Sequence, residues 1–199
     1  MSSTKTLLAF GLVAVGVLTC AVLVDPPKNE RSASSAQAQP VAKAVPRQRT
    51  GADTLVDIVQ QARSQYDGAR NDMAKGAARP ARKQAICSFL QSFTITDWVG
   101  TIQELSTNGD GKGILAISLG SDVSVKTWNN ALSDIGDRTL IDPNSTLFQT
   151  LTSMKVGQTV HFSGNFFRSD SDCIRETSMT MHGSITEPEF LFRFTSVTD

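Results

Sequence analysis

The chain has 199 residues, with 19 Lys/Arg balanced by 19 Asp/Glu and 40% hydrophobic residues. That size holds one or two small domains and excludes a large enzyme. The net charge of zero hides a gradient: residues 1–50 carry six Lys/Arg and two Asp/Glu, residues 51–96 six and four, and residues 97–199 seven and thirteen. The acidic C-terminal half argues against a ligand held through its phosphate backbone, which needs a basic groove.

Thr6 to Val24 carries no charge and is preceded by Lys5. Nineteen helical residues at about 1.5 Å each cover roughly 28 Å, close to a hydrocarbon core. The run, within residues 1–24, reads first as an uncleaved signal-anchor, because it exceeds the usual signal-peptide core. A cleaved signal peptide is one alternative. A lipoprotein acylated at Cys20 within Val17-Leu18-Thr19-Cys20 is another. Each exports the remainder, so the expected location is a single-pass inner-membrane protein with a periplasmic C-terminal domain, or a lipoprotein or secreted form.

Residues 25–52 are rich in Pro, Ala, Ser, Gln and basic residues and lack apolar periodicity, which predicts a disordered linker. Residues 53–95 predict a helical neck. Leu55, Ile58, Val59, Ala62 and Tyr66 recur at helical spacing from an Asp53 N-cap, and the helix is expected to reach about Lys75. A second helix is expected from about Ala81 to Gln91. Arg79, Arg82 and Lys83 read as a solvated basic face.

Residues 96–199 predict β-strands with one inserted helix. The strands fall at about Trp98–Leu105, Gly113–Leu119, Val123–Trp128, Thr159–Phe167, Ser178–Ile185 and Phe190–Val197. Asn108-Gly109-Asp110-Gly111 marks a hairpin. The near-continuous apolarity of the second strand predicts burial on both faces. Ser145 is the expected cap of the helix Thr146–Met154. Gly164 inside a strand predicts a bulge or sharp corner. The fold class is therefore α+β, mainly β: an OB-like Greek-key barrel with an inserted helix, behind a helical neck and an N-terminal transmembrane or signal segment.

Asp97-Trp98-Val99-Gly100-Thr101-Ile102, Lys126-Thr127-Trp128-Asn129-Asn130, Leu151 through Gly157 and Val160-His161-Phe162-Ser163-Gly164 together resemble the exported, tRNA-anticodon-binding-like OB proteins of bacteria. The resemblance covers about the last hundred residues. It implies a shape, the barrel, and it does not imply tRNA as the ligand.

The catalytic inventory is thin. His161 and His182 are the two histidines, no G-x-S-x-G elbow or phosphate-cradling loop is present, and the acids Asp134, Asp137, Asp170 and Asp172 read as solvated loop groups. No CxxC or Cys/His cluster suggests a metal, and no cofactor is expected. Cys87 and Cys173 are the two cysteines outside the apolar run, so in an exported protein they are expected to pair, with burial as unpaired thiols the alternative. The expected function is a non-catalytic binding module at the cell envelope, engaging a protein, peptide or glycan. The alternative is a single-stranded nucleic-acid binder. The candidate ligand surface is Lys126, Trp128, Asn129 and Asn130, with His161 and Arg193 as lesser members. An aromatic face, two amides and one Lys charge would meet there, at the rim where the third strand enters a long loop.

Overall fold

The structure, a computed structural model, describes residues 49–199. The expected export segment, Cys20 and most of the expected linker lie outside the described residues. Among the described residues no helix is long and apolar enough to cross a membrane.

Helix α1 (Gly51–Asp67) begins with a capping box. The Thr50 hydroxyl accepts from the Asp53 N–H, and the Asp53 carboxylate accepts from the Thr50 N–H. Asp53 is thus the third helical residue, and Thr50 is the cap. The apolar stripe Leu55, Val56, Val59 and Ala62 is buried. The first turn lies against the Trp98 indole, and a Cβ on Gly51 would stand 2.6 Å from that ring, so the contact requires glycine. The expected run to Lys75 breaks at Gly68. Asn71 then caps the short α2 (Asp72–Gly76). Helix α3 (Ala78–Phe89) starts before Pro80, not after it. Proline fits there because a first-turn N–H has no helical partner to lose.

Five strands form a closed barrel in the order β1 (Thr94–Thr107), β2 (Gly113–Gly120), β3 (Val123–Lys126), β7 (Glu189–Thr198), β4 (Thr159–Phe166). All pairs are antiparallel except β3 with β7. This arrangement is consistent with the OB-like barrel expected from the sequence. Helix α4 (Thr146–Leu151), capped by Ser145, sits between β3 and β4. Strand β2 is buried on both faces from Gly113 to Ile117, as its continuous apolarity implies. Bulges interrupt β1 at Ile95/Trp98 and Ile102/Glu104, and β4 meets β7 out of register at Ser163/Gly164. They supply the bending that lets a small sheet close on itself. At Gly164 a Cβ would lie 2.1 Å from the Arg193 carbonyl oxygen, so the expected corner is a close backbone approach.

Phe162, Phe166, Phe192 and Phe194 pack edge-to-face in the core, and Trp98 joins them from β1. Leu55, Val59 and Ile86 of the helices belong to the same buried cluster as Leu115, Val125 and Val160 of the barrel.

One expected strand is absent. Ser178–Ile185 is not extended. Instead β5 (Arg168–Ser169) and β6 (Cys173–Ile174) make a small hairpin, and Thr180 caps helix α5 (Met181–Thr186) by accepting from the Gly183 N–H at 3.0 Å. Met179 is 98% exposed, so the Met/Thr alternation there buries no face. The Cys87 and Cys173 sulfurs stand at disulfide distance, 2.08 Å, with Cα atoms 5.5 Å apart. The pair joins α3 to β6.

Candidate functional site

Lys126 ends β3, and its Nζ lies 3.0 Å from Glu189 Oε2 on β7. Trp128, just beyond, is half-buried. Its backbone N–H donates to Thr139 Oγ1 at 2.8 Å and its indole N–H to Asp137 Oδ2 at 2.9 Å. It is neither a core anchor nor a free stacking face. Asn129 and Asn130 are exposed, but their amides are engaged locally. Asn130 Nδ2 donates to Asn129 Oδ1, and Asn130 Oδ1 accepts from the Ser133 N–H, both at 2.8 Å.

Arg193 on β7 converges with Trp128 on Asp137. Its Nη2 donates to the Asp137 carbonyl, while Arg175 Nη1 takes the Asp137 carboxylate at 2.7 Å. The two guanidinium carbons lie 5.1 Å (Arg193) and 5.7 Å (Arg175) from the Phe167 ring centre. Lys126, Trp128, Asn129, Asn130 and Arg193 therefore gather around the β3 exit. His161 does not join them. It lies on β4 opposite Val99 and Thr198, four positions from the Asn165–Arg193 pairing.

His161 Nδ1 is 2.7 Å from Asp97 Oδ1, and the Asp97 N–H donates to Ser163 Oγ at 3.0 Å. Asp97 reaches both from a left-handed backbone, φ 59°, in the first β1 bulge. The Asp97 carboxylate meets His161 while its backbone amide meets Ser163, so the serine and the histidine are not paired as nucleophile and base. The serine oxygen is engaged by a backbone amide, and its hydroxyl makes no hydrogen bond to His161.

Asp134 and Asp137 of the β3–α4 loop are not solvated as the sequence suggested. Asp134 is buried. It accepts from the Thr139 N–H at 2.6 Å, the Thr139 hydroxyl at 2.7 Å and the Leu140 N–H at 3.2 Å. These bonds compensate the buried charge.

A polar groove of about 410 Å³ runs over β1, β2 and β3 beside Lys126. Gln103, Ser118 and Ser124 form its wall, and Asp122, Glu187 and Glu189 supply three carboxylates. Arg63 of α1 donates to the Ser121 carbonyl at 3.0 Å and pairs with the Asp122 carboxylate at 3.5 Å. Sequence reasoning missed these lining residues. Ser118 and Ser124 were visible as polar positions in apolar strands, but Glu187 and Glu189 reach the groove only through the parallel β3–β7 pairing. A second, apolar cavity of about 270 Å³ lies beside α4, lined by Leu105, Ile114, Ile141, Phe148, Leu151 and Met154 among others.

No protein-family model matches the chain, and neither a curated protein nor a solved structure matches it.

The expected solvated basic face of α3 is also corrected. Arg82 is 1% exposed, and its Nη2 lies 2.8 Å from Asp172 Oδ1. Arg79 Nη2 holds the other carboxylate oxygen at 2.6 Å, and Arg82 Nη1 donates to the Ser184 carbonyl. Burial pushes the Asp172 carboxyl up, but hydrogen bonds from Arg79 and the charge of Arg82 outweigh it and hold it below the ordinary carboxylate value. Burial lowers the Arg82 guanidinium against the pull of Asp172. Beside the Cys87–Cys173 pair, this network binds α3 to the β5–β6 hairpin. It is architecture, not a ligand site.

Proposed function

We propose that the chain is a non-catalytic binding module of the OB type, tethered at the cell envelope, whose groove takes a peptide segment bearing basic side chains. The observation that carries this reading is the groove itself. It lies over β2 and β3, where such barrels commonly bind, and three carboxylates, serine hydroxyls and the Gln103 amide line it. Acceptors outnumber cations, which suits ammonium or guanidinium groups and peptide N–H donors.

The strand order and the inserted helix support membership of the exported, tRNA-anticodon-binding-like OB proteins that the sequence resembles. A cysteine pair at disulfide distance suits an oxidising, extracytoplasmic compartment. Single-stranded nucleic acid is disfavoured, because it needs a basic groove with exposed aromatic platforms.

Calorimetric titration of the full chain with an oligolysine peptide, a neutral cell-wall oligosaccharide and an oligothymidylate tests the proposal. Saturable binding of the peptide alone is expected, weakened about tenfold, or 1.4 kcal/mol, by Glu187→Gln with Glu189→Gln. Salt-dependent binding of the oligonucleotide, or preference for the sugar, would overturn it.

A further inference from the structure

Residues 129–140, between β3 and α4, reverse the usual polarity of a surface loop. The carboxylates face inward: Asp134 is buried under three hydrogen bonds, and Asp137 is tied to Trp128 and Arg175. The large apolar side chains face outward, with Leu132 80% and Ile135 75% exposed. The Asn130 side chain closes the turn onto the Ser133 N–H, and Gly136 and Arg138 turn the chain back with φ 89° and 53°. The loop is thus tied in place by its own polar groups, and it presents Leu132 and Ile135 on a built surface.

A cavity of about 380 Å³ adjoins this loop, lined by Arg138, Arg193, Ser145, Thr146 and Thr195 among others. Arg138 is exposed; its backbone N–H donates to the Asp134 carbonyl, and its guanidinium forms no hydrogen bond or ion pair among the described residues. Arg193 has the Asp137 carbonyl and the Phe167 face, but no carboxylate. Asp142 is the acid in the lining, and one of its oxygens already accepts from Asn144. Two arginines without carboxylate partners therefore line one cavity of a barrel whose overall balance is acidic.

We infer that this end of the barrel docks on an anionic phospholipid surface, with Leu132 and Ile135 entering the headgroup layer and Arg138 and Arg193 receiving a lipid phosphate. Guanidinium groups match phosphate oxygens in paired hydrogen bonds. Apolar side chains seated at the headgroup boundary add shallow burial. Two such side chains bind weakly alone, but the uncharged run Thr6 to Val24 supplies the second signal that stable anchoring needs. Tethering makes the contact intramolecular, so modest affinity suffices. A stretch of 24 residues, the length of 25–48, can span at most roughly 80 Å. The acidic remainder is repelled by the same lipids, which favours this end. The inference rests on the tethered reading for its anchor and is independent of the groove's ligand.

The test uses the full chain in lipid discs of phosphatidylcholine, with and without phosphatidylglycerol, and reads hydrogen exchange over residues 129–140. Exchange is expected to be about tenfold slower in the anionic discs, and to return to the neutral-disc rate in Leu132→Ser/Ile135→Ser and in Arg138→Gln. These exposed substitutions should leave the melting temperature unchanged. Equal exchange in both discs overturns the inference. So does protection produced by inorganic phosphate in neutral discs, which would make the cavity a free-anion site. Co-isolation with neutral discs reports the anchor alone. If it fails, the tether is wrong, and the docking claim is then read by adding the chain to preformed anionic vesicles.

Discussion

Asp134 and Thr139 are joined twice, one carboxylate oxygen taking both the backbone N–H and the hydroxyl of Thr139. That hydroxyl in turn accepts from the Trp128 N–H. The end of β3 and the return of the loop are thereby fastened through a single buried carboxylate.

Asp134→Ala strands the Thr139 and Leu140 amides in a buried setting. It is expected to cost about 2–3 kcal/mol and to speed hydrogen exchange across residues 129–140. Urea denaturation and exchange mass spectrometry read the two effects. Asp134→Ala with wild-type exchange in that stretch would show that the loop is held by something else.

The Asp172 network should be more costly to break. Asp172→Asn weakens the neutralisation of a buried Arg82, and about 3 kcal/mol is expected to be lost at neutral pH. The pH dependence has a definite sign. The folded-state value of Asp172 is depressed, so its contribution is present above the ordinary carboxylate value and is lost as pH falls through the lower folded value. Urea midpoints measured against pH should therefore fall more steeply on the acid side in the parent than in Asp172→Asn. Parallel acid limbs would contradict this assignment.

Reduction of the Cys87–Cys173 pair opens a loop of 86 residues. The chain-entropy relation gives a loss on the order of 4 kcal/mol. Chemical denaturation with and without reductant measures it, with Cys87→Ser as the control.

Two glycines with opposite surroundings give a paired test of barrel closure. Gly164→Ala places a methyl 2.1 Å from the Arg193 carbonyl, whereas Gly109→Ala in the β1–β2 hairpin meets nothing within 4 Å. The first is expected to lower the melting temperature severely, by about 3 kcal/mol of stability or more. The second should stay within about 0.5 kcal/mol. Equal melting temperatures would mean that β4 and β7 do not approach as described.

What was legible in the sequence is what depends on neighbours along the chain. The Ser145 cap, the two-sided burial of β2, the Gly164 corner and the strand–helix order all follow from local spacing. Alternation also misled locally, since Met179 to His182 has strand periodicity while Thr180 caps a helix. Groups whose partners lie far along the chain were misread. Arg82 reads as solvent-facing until Asp172 arrives from 90 residues away. The candidate site shows the same division. Trp128 and Arg193 do meet, but through Asp137, and the groove acquires its carboxylates from the β2–β3 turn, the end of α5 and the strand that follows it. His161 was grouped with them by residue type, and the register of β4 sets it apart.

The parallel β3–β7 pair also dictates an order of assembly. Strand β7 joins β3 on one side and β4 on the other, so the strand that closes the ring follows everything it joins. Until Glu189–Thr198 has emerged, β3 and β4 keep open edges, and Phe162 and Phe166 lack the rings of Phe192 and Phe194. A chain threaded N-terminus first, whether from a ribosome or through a translocon, completes its core only when this final strand is free. Premature truncation before Glu189 should therefore yield a species with unpaired, apolar strand edges, prone to aggregation and to proteolysis.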